Sequence, residues 1–271
     1  MTKQKILMCA PDFFGVDYVI NPWMNEGLHK TNSLHARSQW ANLKRFLEQH
    51  AELKFVEPQK GLPDMVFTAN AGMVLGSTVI VSRFHSEQRR GEESPFKKWF
   101  EANGFTIAPW PTDIEFEGAG DALFDRGKNF VWTGHGFRSS EKAAGVIESI
   151  FKRQAVQVKL VDPRWYHLDT CLCPLPDGYV MYYPAAFDEA SQKKIADHVP
   201  EEKRIVIGEE DALKFACNAV DVDGIIILND ASTELQDRLR RIGLTPIITS
   251  LAEFMKSGGS AKCLTLKLIE S

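Results

Sequence analysis

The sequence predicts an α/β chain of five similar units closed into a ring, and three observations predict it. A block of two short strands, a polar loop, a helix and a third strand recurs along the chain. Five anchor residues mark the recurrence: Asn70, Glu117, His167, Asn218 and Cys263, spaced 47, 50, 51 and 45 residues apart. The first unit has no complete hairpin of its own, so its strands must come from both chain ends, which closes a ring rather than an open stack. The alternative, an ordinary doubly wound sheet, alternates single strands with helices, whereas here strands come as paired hairpins.

Taken in order, the first unit uses a helix near Ser33 to Gln49 and a strand from Leu53 to Val56. The second has a hairpin within Asn70 to Ser82, a charged segment from Ser86 to Ala102 and a strand from Phe105 to Ala108. The third runs through Gly120 to Trp132, a helix from Ser139 and a strand from Val156 to Val161. The fourth spans Thr170 to Tyr183, a helix from Ser191 and a strand from Arg204 to Ile207. The fifth takes Asn218 to Leu228, a helix from Ser232 and a strand from Thr245 to Ile248. Hairpins turn at Gly, Asp-Gly or Gly-Lys, as tight turns require. Helices are expected to start after Ser, and Ala143, Ile147 and Phe151, or Leu235, Leu239 and Ile242, form apolar stripes at helical spacing.

Composition narrows the function classes. The 271 residues are 44% apolar and 25% charged, the balance of a globular chain. The net charge of −4 lacks the basic excess of a protein that grips phosphate backbones, so nucleic acid is not an expected partner. The apolar stretch before Pro11 is five residues long, too short for a signal-peptide core, and no run approaches a membrane span. Five scattered cysteines with no Cys-x-x-Cys pair read as reduced thiols, so the cytoplasm is the expected location. His29, His35, His50, His85, His135 and His198 lack metal-ligand spacing, so no metal is expected. Nothing in the sequence signals an oligomeric state.

The polar residues sit where hairpins begin. Successive units offer Phe67-Thr-Ala-Asn70-Ala-Gly72, Phe116-Glu117-Gly-Ala-Gly120-Asp121, His167-Leu-Asp169-Thr-Cys171 and Gly258-Gly-Ser-Ala-Lys-Cys263. In a five-fold ring, equivalent positions converge on the axis, so Asn70, Glu117, His167, Asp169 and Cys263 are expected in one pocket. A Cys with a His in reach supplies a nucleophile and a proton carrier. Two carboxylates beside them suit a planar guanidinium. Cys171, Cys173 and Cys217 read as small core residues, whereas Cys263, after a Gly-Gly-Ser loop, is expected to be reachable.

These motifs together resemble the pentein guanidino-group-modifying enzymes: arginine deiminases, dimethylarginine dimethylaminohydrolases, amidinotransferases and arginine dihydrolases. The resemblance runs from Asn21 to Cys263. It implies the pentein fold, a five-bladed α/β propeller with pseudo-five-fold symmetry, as one catalytic domain over residues 1–271. It also implies no cofactor and a small guanidino substrate, arginine or a derivative. By motif, Cys263 is the nucleophile, His167 the general acid/base, and Glu117 and Asp169 the guanidinium-binding carboxylates. Arg138, in Gly134-His-Gly-Phe-Arg138, is similar to the residue that holds the substrate α-carboxylate, with Asn21 and Arg89 as further contacts. Glu117-Gly-Ala-Gly-Asp121 is one residue longer than the deiminase Glu-Gly-Gly-Asp. Asn70 replaces the Asp that closes the deiminase Phe-x-x-Asp motif. An Asn there is similar to the dihydrolases, which hydrolyse the guanidino group twice, taking arginine to ornithine, carbon dioxide and two ammonia. The alternatives are a dimethylarginine dimethylaminohydrolase or deiminase that stops at citrulline, and a non-catalytic pentein that binds a macromolecule.

Overall fold

Strand pairing in the computed structural model, which describes residues 3–268, produces five separate three-stranded sheets. Of the range 1–271 expected for the domain, residues 1–2 and 269–271 lie outside the described residues. In every sheet a central strand has one antiparallel neighbour, supplied by a hairpin in four of the five, and one parallel neighbour reached through a helix. The first blade joins both ends of the chain. Its centre, β1 (Gln4–Cys9), runs antiparallel to β15 (Leu266–Lys267) and parallel to β2 (Ala51–Val56). Leu7 faces Leu266 on one side and Lys54 on the other, so the ring is closed by hydrogen bonds between distant segments.

The other four blades repeat this plan. They comprise β3 (Gly72–Leu75), β4 (Thr78–Val81) and β5 (Thr106–Ile107), then β6 (Ala122–Phe124), β7 (Phe130–His135) and β8 (Gln154–Lys159). Next come β9 (Leu172–Leu175), β10 (Tyr179–Tyr182) and β11 (Arg204–Val206), and finally β12 (Val220–Val222), β13 (Ile225–Leu228) and β14 (Thr245–Ile248). Two hairpins turn on left-handed pairs, Asp177-Gly178 and Asp223-Gly224, all four at positive φ. The turn expected at Gly127-Lys128 is organised one step earlier. Asp125 Oδ1 accepts from the Gly127 and Lys128 amides at 2.9 and 2.8 Å, and its Oδ2 accepts from Trp132 Nε1 at 3.1 Å.

Blade helices span Ser33–His50, Glu93–Ala102, Ala143–Phe151, Glu189–His198 and Thr233–Arg241. Of the expected Ser starts, only Ser232 caps its helix, accepting from the Leu235 amide. The helix expected from Ser139 begins at Ala143, and the one expected from Ser191 begins at Glu189, capped by Asp188. Both displaced serines are buried and serve tertiary contacts; Ser191 Oγ accepts from the Lys159 amide of β8. The stripes pack as expected, with Ala143, Ile147, Phe151, Leu235 and Leu239 buried and Ile242 half-buried. Between blades the core is filled by large rings, among them Trp132, Trp165 and Phe215, each worth roughly 1.5–3 kcal/mol when fully buried. Among the described residues no helix is long and apolar enough to cross a membrane, and no group of three or more His, Cys, Asp or Glu could hold a metal.

Candidate active site

Each blade enters the axis through a tight turn just before its first strand, and these turns carry the polar side chains. The turns close by the same backbone contact: Asn70 N to Phe67 O, Gly120 N to Glu117 O, Thr170 N to His167 O and Asn218 N to Phe215 O. Counting back from each first strand shows a finer register than the anchor spacing suggests. Asn70 and Asn218 each lie two residues before a strand, Asp169 and Cys263 three, and Glu117 and His167 five. The five anchors are thus not one repeated position but three, and with Asp169 each position is used in two blades.

His167 and Glu117 form the tightest pair, with Nε2 and Oε2 2.7 Å apart and both side chains buried. Glu117 Oε2 also accepts from Arg138 Nη1 at 3.1 Å, and Oε1 accepts from the His85 amide at 3.2 Å. Burial acts to raise the Glu117 carboxyl, but Arg138, His167 and Arg89 outweigh it and hold the group ionised, well below the usual range. An ionised carboxylate only accepts, so His167 donates its Nε2 proton to it. Behind this pair, Asp121 accepts from Ser139 Oγ at 2.6 Å and from the Leu168 amide at 3.0 Å, and Ser139 Oγ accepts from the Glu117 amide at 3.0 Å.

Cys263 faces Asp169, with Sγ 3.5 Å from Oδ2, and also receives Asn218 Nδ2 at 3.1 Å. The thiol is 2% exposed, so the reachable cysteine expected after the Gly-Gly-Ser loop is instead buried, as are the other four. The loop does not lift Cys263 to the surface because its amides turn inward: those of Ser260 and Cys263 donate to Asn218 Oδ1. Burial first, then Asp169, pushes the Cys263 thiol well above its ordinary range. Burial likewise pushes Asp169 up to about 6.

A narrow cleft opens onto this cluster, lined among others by Asn21, Asp64, Asn70, Arg89, Arg138 and Cys263. Asn70 is held by donating to the Glu117 carbonyl at 2.9 Å and accepting from Arg89 Nη1 at 3.0 Å. Arg89 is pinned by two contacts to Glu92, both at 2.9 Å, and lies over the Phe84 ring. Asn21 caps the short helix Pro22–Gly27 and donates to the Ser257 carbonyl at 3.0 Å. Arg138 lies over the Tyr166 ring and donates to the Ile20 carbonyl at 2.8 Å as well as to Glu117. Gly120 is required here: a Cβ would fall 2.3 Å from Asn70 Nδ2 and 3.4 Å from the His167 ring. The fourth residue of the Glu-Gly-Ala-Gly-Asp motif is therefore the one that lets blades two and four approach.

All eight expected site residues lie in this one region. Sequence reasoning missed Asn218 as a chemical group, although it was an anchor, and missed Asp64, Tyr166 and Ser257. Asp64 accepts from Tyr18 at 2.7 Å and from Ser257 at 3.0 Å. The only signal for Asp64 was its position six residues before Asn70 in a buried turn.

Five three-stranded blades around an axial cluster of Cys, His and carboxylates define the pentein class of guanidino-group-modifying proteins. Within it, the chain belongs to the dimethylarginine dimethylaminohydrolase family, whose model described as "N,N dimethylarginine dimethylhydrolase, eukaryotic" matches residues 18–270. The bifunctional arginine dihydrolase/ornithine cyclodeaminase ArgZ of Synechocystis sp. is 51% identical over 98% of this chain and 38% of that protein. The chain thus spans about two fifths of the length of that relative. The N(G),N(G)-dimethylarginine dimethylaminohydrolase of Mycobacterium tuberculosis is 37% identical over 98% of this chain and 86% of its own. The crystal structure of a Cys-to-Ser mutant of the N-terminal domain of ArgZ, bound to substrate, matches with a TM-score of 0.97 at 50% identity, covering 98% of both chains.

Proposed function

We propose that the chain hydrolyses the guanidino group of arginine twice, giving ornithine, carbon dioxide and two ammonia, through a covalent bond between Cys263 and the guanidino carbon. The observation that carries this reading is an amide, Asn70, at the cavity where a single-step enzyme of the class has a carboxylate, in a chain 51% identical to an arginine dihydrolase.

Glu117 and Asp169 hold the guanidinium nitrogens, and their negative charge keeps the reacting carbon against Cys263. Of the roughly four acceptor sites on a carboxylate, Glu117 uses three within the protein, leaving one for substrate. Arg138 and Glu117 form an ion pair with each other. An arriving guanidinium takes over that contact and frees Arg138 for the α-carboxylate, with Asn21 and Arg89 closing around the rest of the molecule.

The Cys263 thiolate attacks, His167 protonates the departing ammonia, and a covalent amidino-thioether remains. His167 then takes a proton from water, whose oxygen displaces the thiolate and leaves the ureide citrulline. An Asp at position 70 would turn acceptor-only oxygens toward that neutral carbonyl, a contact that costs about 1–3 kcal/mol. The Asn70 amide both donates and accepts, so it retains the ureide for a second attack and a second water. The carbamate released from that round loses carbon dioxide, and arginine plus two waters balances the products.

A second reading, hydrolysis of methylated arginine to citrulline, is supported by the family model and the mycobacterial relative. A non-catalytic binding module has no use for a buried thiol set against a carboxylate. The five free thiols fit a reducing compartment, and we infer a cytoplasmic location. The discriminating experiment incubates the protein with arginine, methylated arginines, agmatine and succinylarginine and identifies every amine product. Ornithine from arginine supports dihydrolysis. Turnover of methylarginines alone, ending at citrulline, supports the second reading.

A further inference from the structure

We propose that Asn218 is a catalytic residue of this site, whose side-chain N–H holds the Cys263 sulfur as an attacking thiolate. The inference rests on the covalent reading above for its purpose but not for its geometry. Asn218 is fully buried, and all four hydrogen-bonding capacities of its amide are used. Oδ1 accepts from the Ser260 amide at 2.9 Å and the Cys263 amide at 3.1 Å. Nδ2 donates to the Asp169 carbonyl at 3.0 Å and to Cys263 Sγ at 3.1 Å. Because two backbone N–H groups converge on the oxygen, the amide cannot be reversed, and the atom facing sulfur must be the nitrogen.

The sulfur needs such a donor. It is buried, and a carboxylate oxygen lies 3.5 Å away, both of which oppose negative charge there. A neutral N–H fixed in place favours the thiolate without adding a cation that would repel a guanidinium. The backbone is committed to the same end. Phe215, whose carbonyl closes the turn that carries Asn218, has a left-handed φ of 59°, a strained position for a large side chain. Its ring is locked against Trp23 and Trp165, which holds the turn. Asn70, the equivalent residue two blades away, turns its amide instead to the Glu117 carbonyl and Arg89.

The test measures the rate at which iodoacetamide inactivates the full chain from pH 6 to 10, beside kcat and KM for arginine, for wild type, Asn218→Asp, Asn218→Ser and Asn218→Ala. Asn218→Asp keeps the acceptor for Ser260 and Cys263 but removes the donor to sulfur. Its alkylation at pH 8 is expected to fall about tenfold or more relative to wild type. Its kcat should fall similarly while KM stays within about twofold. Asn218→Ser, whose hydroxyl can donate to sulfur, should recover part of what Asn218→Ala loses. Should Asn218→Asp not fold, the Ser and Ala pair decides the question. An unchanged alkylation profile in a folded variant, with only thermal stability reduced, overturns the proposal. Alkylation does not depend on which guanidino compound is turned over. Failure on arginine with a shifted alkylation profile therefore sinks the function proposed above and leaves this one standing.

Discussion

The two ends of the ring axis are built from the same five blades and differ in what they leave unresolved. At the far end lies the larger cavity, lined mainly by apolar residues of the first strands, including Met73, Leu123, Leu172 and Val220. Its charges settle one another: Lys267 meets Asp221 at 3.0 Å, Arg126 meets the other oxygen, and together they hold the Asp221 carboxyl low against the effect of burial. At the Cys263 end the cavity is smaller, and its groups oppose one another. Asp169 is pushed up to about 6, and a thiol sits against a carboxylate. The cysteines repeat the contrast. Cys173, on the far cavity, donates weakly to the Ala219 carbonyl at 3.9 Å, whereas Cys263 accepts an N–H. Electrostatic tension, and not cavity size, marks the working end.

Breaking each end separately tests that contrast. Cys263→Ser should lower turnover at least about 10⁴-fold while leaving the unfolding midpoint nearly unchanged, because one atom changes and no charge does. Asp221→Asn should do the reverse. It leaves two cations without their shared carboxylate and should cost about 3–5 kcal/mol in urea unfolding, with kcat retained. The Asp221 carboxyl is held below its ordinary value, so its contribution is present above about pH 4 and lost as pH falls below it. The stability gap between wild type and Asp221→Asn should therefore close in acid.

Smaller effects sharpen the picture at the working end. Asn70→Asp should preserve the first hydrolysis but divert product from ornithine to citrulline about tenfold, read by chromatography. An unchanged ornithine yield would show that the amide does not decide the outcome. Asp169 must be ionised to hold a guanidinium, and it takes up a proton as pH falls through about 6. Arginine binding to Cys263→Ser, followed by calorimetry, should weaken about tenfold between pH 7 and 5. Flat affinity across that range would remove Asp169 from the guanidinium site.

Much of this was legible in the sequence because the ring repeats. The strand Thr245–Ile248 falls where the recurring unit put it, and the first blade is shared between the chain ends as the missing hairpin required. What was not legible depended on tertiary contact. Ser139 and Ser191 look like helix starts, yet each is spent on a neighbouring segment. Cys263 follows glycines, yet Asn218 draws their loop inward. Asn218 itself passed as a mere anchor, because its partner lies 45 residues away and only the closed ring brings its amide to sulfur. The spacing pointed to residues that share one region but merged three registers into one.

The most direct test of two hydrolyses in one pocket is stoichiometry. The protein is supplied with arginine in limiting amount, and ornithine, citrulline and ammonia are counted when arginine is exhausted. The account predicts one ornithine and two ammonia for each arginine, with citrulline at most transient. One ammonia and one lasting citrulline for each arginine would contradict it.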